Sequence, residues 1–211
     1  ETVTWSFTDS KIDKQFSKGE KEITILNPIS NDLDVLRRSI FSNLAIHLKK
    51  NQDRGYEDIS LFEIGPTFFG KNPGEQQIVL GALKSGKMVR KSWIEKDRDI
   101  DVFDIKSDVM KSLIELGVSS QDLFVSDKTK PCYHPGRSGS INLKSEKGPY
   151  LAYFGEIHPA IIKKLDFKVP NVYGLEIFLK NLPEPNKKIR LTKKIFKPSD
   201  FQVSERDFAF I

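Results

Sequence analysis

The chain has 211 residues, 38% of them hydrophobic and 30% charged, with a formal net charge of +5. That composition is ordinary for a soluble protein of one large domain or two small ones, and its apolar runs are too short for a membrane-crossing helix. A single cysteine, Cys132, excludes an internal disulfide, fits a reducing cytosol, and reads as a packed small side chain. The excess positive charge favours a polyanionic partner such as RNA without demonstrating one. The chain opens Glu1-Thr2-Val3 with neither an initiator Met nor a signal peptide, so a fragment of something longer is expected.

Val3, Trp5 and Phe7 alternate with polar residues as in a half-buried strand, and Ile23 and Ile25 begin another. Ser30, Asn31 and Asp32 are cap-type residues ahead of an apolar stripe at Leu33, Leu36, Ile40, Leu44 and Leu48. One helix is expected there, with Lys49 and Lys50 at its C-terminal end and a stop at Gly55. Arg37 and Arg38 lie beside that stripe, as solvated charges or as a rim that docks a partner.

Ile59 to Phe69 reads as a strand broken at Gly65-Pro66, and Ile78 to Trp93 as two strands joined at a Ser85-Gly86 hairpin turn. Val102 to Ile105 is expected as a strand, with Ser107 capping a helix that ends near Gly117. Further strands are expected around Ile141 and Leu143, over Leu151 to Ile157, and through Tyr173, Leu175, Ile177 and Leu179. A short helix spans Pro159 to Leu165. From Asn186 to Pro198 six basic residues occur with no acidic one, which reads as a linker or a lysine-protected strand edge. Phe208 and Phe210 start one more alternating strand. Hairpin-like neighbours outnumber helices, which argues for an α+β fold with a largely antiparallel sheet.

Two of the three histidines precede prolines, in Tyr133-His134-Pro135-Gly136-Arg137-Ser138 and in Gly155-Glu156-Ile157-His158-Pro159. Proline pushes the residue before it into an extended shape, so both pairs mark strand ends. That does not account for Gly136 and Arg137 on one side and Glu156 on the other. Gly81 to Lys87 has the spacing of a phosphate-binding loop, but Met88 stands where a magnesium-binding hydroxyl is needed and a strand follows instead of a helix. His134 and His158 lack metal-site spacing, and no nucleophile elbow is present. No catalytic constellation and no metal site emerges from the residues alone.

Seven motifs, taken in order, resemble the beta subunits of bacterial phenylalanyl-tRNA synthetases. They are Asn27-Pro28-Ile29-Ser30, Leu36-Arg37-Arg38-Ser39, Leu61-Phe62-Glu63-Ile64-Gly65, Val102-Phe103-Asp104-Ile105-Lys106, the two His-Pro segments, and Ser204-Glu205-Arg206-Asp207-Phe208-Ala209-Phe210. The resemblance implies a class II aminoacyl-tRNA synthetase-like core over residues 1–195, an antiparallel sheet flanked by helices. Residues 196–211 would then be a linker and the first strand of a ferredoxin-like anticodon-binding domain.

It further implies a cytoplasmic heterotetramer of two alpha and two beta subunits, in which the alpha subunit uses ATP and magnesium to attach phenylalanine to tRNA. The beta core would scaffold it without chemistry or a cofactor of its own. A class II site holds phosphates with two arginines, and both positions have changed here. Phe68 and Phe69 stand at the first, and the segment from Tyr173 to Lys180 has no arginine. Pro66 also departs from the arginine that the family often carries there. Interface or turn-ordering roles are expected for Arg37, His134, Arg137 and Glu156. The rival expectations are an ATP-using enzyme built on Gly81 to Lys87 and a basic RNA-binding module at Lys187 to Lys197.

Overall fold

The computed structural model describes residues 1–89, 92–184, 201–202 and 204–210. In chain order the elements are β1 (Phe7–Thr8), α1 (Ser10–Phe16), β2 (Val35–Leu36), α2 (Phe41–Asp53), β3 (Ile59–Phe68), β4 (Gln76–Ser85) and β5 (Lys87–Val89). They continue with β6 (Arg98–Asp99), α3 (Val102–Glu115), β7 (Leu123–Ser126), β8 (Tyr133–Leu143), β9 (Tyr150–Ile157), α4 (Pro159–Lys164) and β10 (Val172–Phe178). Among the described residues, six strands form one sheet in the order β3-β4-β10-β9-β8-β7, every neighbouring pair antiparallel.

The central strand β10 is buried on both faces. Its side chains alternate between two cores, as the pleat requires. Val172 and Phe178 join Phe41, Leu44 and Leu48 of α2, while Leu175 and Ile177 join Ile105, Val109 and Leu113 of α3. The sheet is therefore covered by α2 on one side and by α3 on the other, which is the α+β arrangement expected from the alternating strands.

The N-terminal third departs most from expectation. Val3 and Trp5 are exposed, and only Phe7–Thr8 forms a strand. The helix expected from Leu33 starts instead at Phe41. Backbone groups of residues 34–37 are already taken: Ile25 N–H donates to the Asp34 carbonyl, Leu36 N–H to Ile23, and Arg37 N–H to Ser6. Thr24 makes a single bridge to Val35 in place of the strand expected at Ile23 and Ile25. Ser30, Asn31 and Asp32 close a turn rather than cap a helix, with Leu33 N–H donating to the Ser30 carbonyl.

Gly65-Pro66 does not break β3, which runs through it. Even-numbered residues there turn their backbone groups away from β4: Thr2 N–H donates to the Phe62 carbonyl and Phe68 N–H to Arg37. Pro66 shares that outward side of an edge strand, so its missing N–H costs no ladder bond. Ser85-Gly86 is not a hairpin either. β4 pairs with β3 and β10, whereas β5 pairs with β6, so Gly86, at φ +89°, is a bend between two sheets. Residues 204–210 have no regular secondary structure, so no strand forms at Phe208 and Phe210. The basic run from Lys187 to Lys197 lies outside the described residues.

Val102 to Ile105 is the first turn of α3, not a strand, and Asp101 rather than Ser107 caps it. The Asp101 carboxylate accepts from the N–H groups of Phe103 at 2.8 Å and Asp104 at 3.0 Å, and Asp104 returns the bond to Asp101 N–H at 2.9 Å. This capping box satisfies orphan donors that the β-branched Val102 and Ile105 do not offset. Asp101→Ala is expected to lower stability by about 1 kcal/mol, read from the urea unfolding midpoint.

Candidate functional site

The Leu36-Arg37-Arg38-Ser39 motif, just ahead of α2, turns three consecutive polar side chains inward. Arg37 is 1% exposed and Glu63 3%. Its Nη1 donates to Glu63 Oε1 at 2.7 Å and to Thr4 Oγ1 at 2.9 Å, and its Nε to the Pro66 carbonyl at 2.8 Å. Gly65 makes room for this group, since a Cβ there would lie 2.2 Å from Arg37 Nη2. Arg38 is buried against Asp13 of α1, with Nε to Oδ2 at 2.6 Å, and its Nη1 donates to the Glu20 carbonyl. Ser39 Oγ lies 3.3 Å from Glu176 on β10, whose other oxygen accepts from Lys130 Nζ at 2.7 Å. The buried carboxylates Asp13, Glu63 and Glu176 are thus each paired with a cation. Arg37 and Arg38 are neither a solvated face nor a docking rim, because the helix begins after them.

His134, Arg137 and Glu156 come together elsewhere, on β8 and β9. Tyr133 pairs with Ile157 and Ser138 with Gly155, so residues 134–137 stand opposite the single Glu156. This bulge bends β8 and aims Arg137 back across it. Arg137 Nη2 donates to Glu156 Oε1 at 2.9 Å, and Nε bonds the other oxygen in a bidentate fork. Glu156 is buried while Arg137 is half exposed. Both His-Pro pairs use one device, in which the imidazole Nδ1 accepts the N–H two residues on. His134 takes Gly136 at 3.0 Å, and His158, the N-cap of α4, takes Ala160 at 3.1 Å. His158 marks a strand end as expected, whereas His134 lies inside β8.

A third feature is a cleft of about 470 Å³ on the α2 side of the sheet. Phe68, Phe69, Tyr150, Tyr153 and Phe178 supply its aromatic surface, and Arg38, Lys130, Lys180, Glu20 and Glu176 its charges. Arg38 was not expected there, and no sequence signal places it there: it reaches the wall from outside the strands. Its Nε and Nη1 are committed to Asp13 and Glu20, which leaves the buried Nη2 alone without a partner and no free bidentate fork for a phosphate. Gly81 to Ser85 belongs to β4, and a Cβ on Gly81 would lie 2.1 Å from Ile40, so this segment is packed strand and not a phosphate cradle. Among the described residues no group of three His, Cys, Asp or Glu side chains is placed to hold a metal ion.

Cys132, just ahead of β8, is buried, and burial pushes its thiol up to about 12. The thiolate is the reactive form, so alkylation by iodoacetamide at pH 8 is expected to be negligible in the folded chain and rapid in urea. Rapid alkylation of the folded chain would show the thiol to be accessible.

Residues 1–179 match the family model for the phenylalanyl tRNA synthetase beta chain CLM domain. The chain belongs to that family. It is 40% identical over 210 residues to the phenylalanine–tRNA ligase beta subunit of Paramagnetospirillum magneticum and 43% identical over 211 residues to that of Rhodospirillum rubrum. Both alignments cover 100% of this chain and 26% of the relative, so the chain spans about a quarter of these relatives' length. A solved pyrrolysyl tRNA synthetase from Desulfitobacterium hafniense shares the fold, with a TM-score of 0.58 at 15% identity over 86% of this chain and 60% of that one. For a beta-chain CLM domain, the Leu36-to-Ser39 motif is thus a set of internal ties between α1, β3 and β10. The Tyr133-to-Arg137 motif is a bulge locked to Glu156.

Proposed function

We propose that residues 1–195 form the non-catalytic, class II synthetase-like core of a phenylalanyl-tRNA synthetase beta subunit, and that residues 196–211 lead into a ferredoxin-like anticodon-binding domain. The domain scaffolds the catalytic alpha subunit, in a cytoplasmic heterotetramer that attaches phenylalanine to its tRNA at the expense of ATP. One observation supports this reading beyond family membership: the cleft is walled by aromatic rings, and Nε and Nη1 of its arginine are held by Asp13 and Glu20. Phosphoryl chemistry needs preorganised free donors at the developing charge, and this cleft offers no free bidentate guanidinium fork. ATP and magnesium belong to the alpha subunit's reaction.

The partner contact includes the His134–Arg137 bulge, whose Pro135, Gly136 and Arg137 are exposed. Co-purification of the full-length beta and alpha subunits at micromolar concentration tests the docking. His134→Ala is expected to weaken the complex and to lower stability by no more than about 1 kcal/mol, the cost of its bond from Gly136 N–H. A complex of unchanged strength, with a lowered midpoint, would leave the bulge a purely internal turn.

A further inference from the structure

The acidic end of the cleft has the composition of a cation cage. Glu176 and Phe178 lie two residues apart on β10 and so share one face of the sheet. Tyr153 of β9 stands directly opposite Glu176. The rings of Tyr150, Tyr153 and Phe178 contact one another at centroid distances of 5.1 to 5.9 Å, which fixes their faces. Glu176 is almost wholly buried. A buried carboxylate beside two ring faces is a site for an ammonium group, because the ring quadrupoles and the carboxylate attract the same charge.

The occupant of that site is the chain itself. Lys130 Nζ lies 2.7 Å from Glu176 Oε2, 4.7 Å from the Phe178 centroid and 5.1 Å from that of Tyr153. Burial lowers the Lys130 pKa, and the Glu176 carboxylate more than reverses it, so the ammonium stays charged. The cage and its occupant come from different kinds of element. Acid and rings sit on central strands, whereas Lys130 sits in the loop between β7 and β8, and its side chain is 30% exposed.

We propose that this end of the cleft is a binding site for a primary ammonium on an apolar body, and that Lys130 is its built-in ligand. An external amine enters only by displacing Lys130, one charge for one charge, so Glu176 stays neutralised. Phe68 and Phe69, further along the same cleft, face the apolar body. Occupation of the cage by Lys130 keeps the cleft closed to such molecules.

Benzylamine is the probe, applied to the full-length chain with and without Lys130→Ala. The variant is expected to bind benzylamine at least tenfold more tightly than the unmodified protein by calorimetry, and to gain thermal stability with amine concentration. Benzyl alcohol has no such effect, and adding Glu176→Gln abolishes binding. Equal benzylamine binding by both proteins would overturn the proposal, as would none by a Lys130→Ala protein that keeps its circular dichroism spectrum. Should that variant not fold, the unmodified protein with ¹³C-labelled lysine decides. The ring-shifted Lys130 ε-methylene signal is expected to move toward the free-lysine position as benzylamine is added, and a signal fixed up to saturating amine would overturn the proposal.

Discussion

Arg37→Ala is expected to cost about 3–5 kcal/mol of folding stability, the range for breaking a buried ion pair from one side. The guanidinium and the Glu63 carboxylate are both nearly inaccessible to water. Removing Arg37 strands that carboxylate with only Thr4 for company, whose Oγ1 donates at 2.8 Å. It also frees the Pro66 carbonyl and opens a cavity over Gly65. Arg37→Lys does not rescue, because a single ammonium cannot reach Glu63, Thr4 and the Pro66 carbonyl as the planar fork does. Replacing both partners by Arg37→Met and Glu63→Met removes both charges, and is expected to recover more than half of the loss. Urea unfolding of the four proteins checks this. A single-variant loss below about 1 kcal/mol would show the pair to be hydrated, as surface pairs are.

The second large effect is at Gly155. Its φ is +150°, a conformation that side chains avoid, and a Cβ would lie 2.5 Å from Ser138 Cα and 2.7 Å from the Arg137 carbonyl. Both neighbours are backbone and cannot swing away. Gly155→Ala therefore combines backbone strain with a clash inside the sheet, and is expected to cost about 3 kcal/mol or more. It also disturbs the bulge that holds Arg137 to Glu156, one residue on. Gly117, at φ +93°, has nothing within 4 Å of the missing Cβ. Gly117→Ala thus pays for conformation alone, about 1 kcal/mol. Equal losses for the two variants would mean that the close approach of β8 and β9 has no energetic weight.

The C-terminal half was legible in the sequence because its signals are local. An apolar run marks Leu151 to Ile157, alternation marks Tyr173 to Ile177, and Pro159 marks the start of α4. The N-terminal third was not, because its polar residues are buried by partners far along the chain. Arg37 meets Glu63, Arg38 meets Asp13, and Ser39 meets Glu176, 137 positions away. A stripe of leucines beside two arginines looks like an amphipathic helix when those partners are unseen. α1 was missed outright, although Asp9, whose side chain accepts from Lys11 N–H, is a recognisable cap. The start of α3 reads as a strand because Val102 and Ile105 are β-branched, while the signal that decides it, Asp101 with Asp104 three residues on, is a capping box. Of the candidate site residues, the grouping of His134 and Arg137 against Glu156 was visible in the two His-Pro motifs. The burial of Arg37 was not.

The proposed core lends structure and not chemistry. Phenylalanine-dependent exchange of labelled pyrophosphate into ATP tests it most directly, measured on the full-length chain alone and again after the alpha subunit is added. No exchange above the buffer blank is expected from the chain alone, and full exchange once the alpha subunit is present. Exchange by the purified chain alone would contradict it.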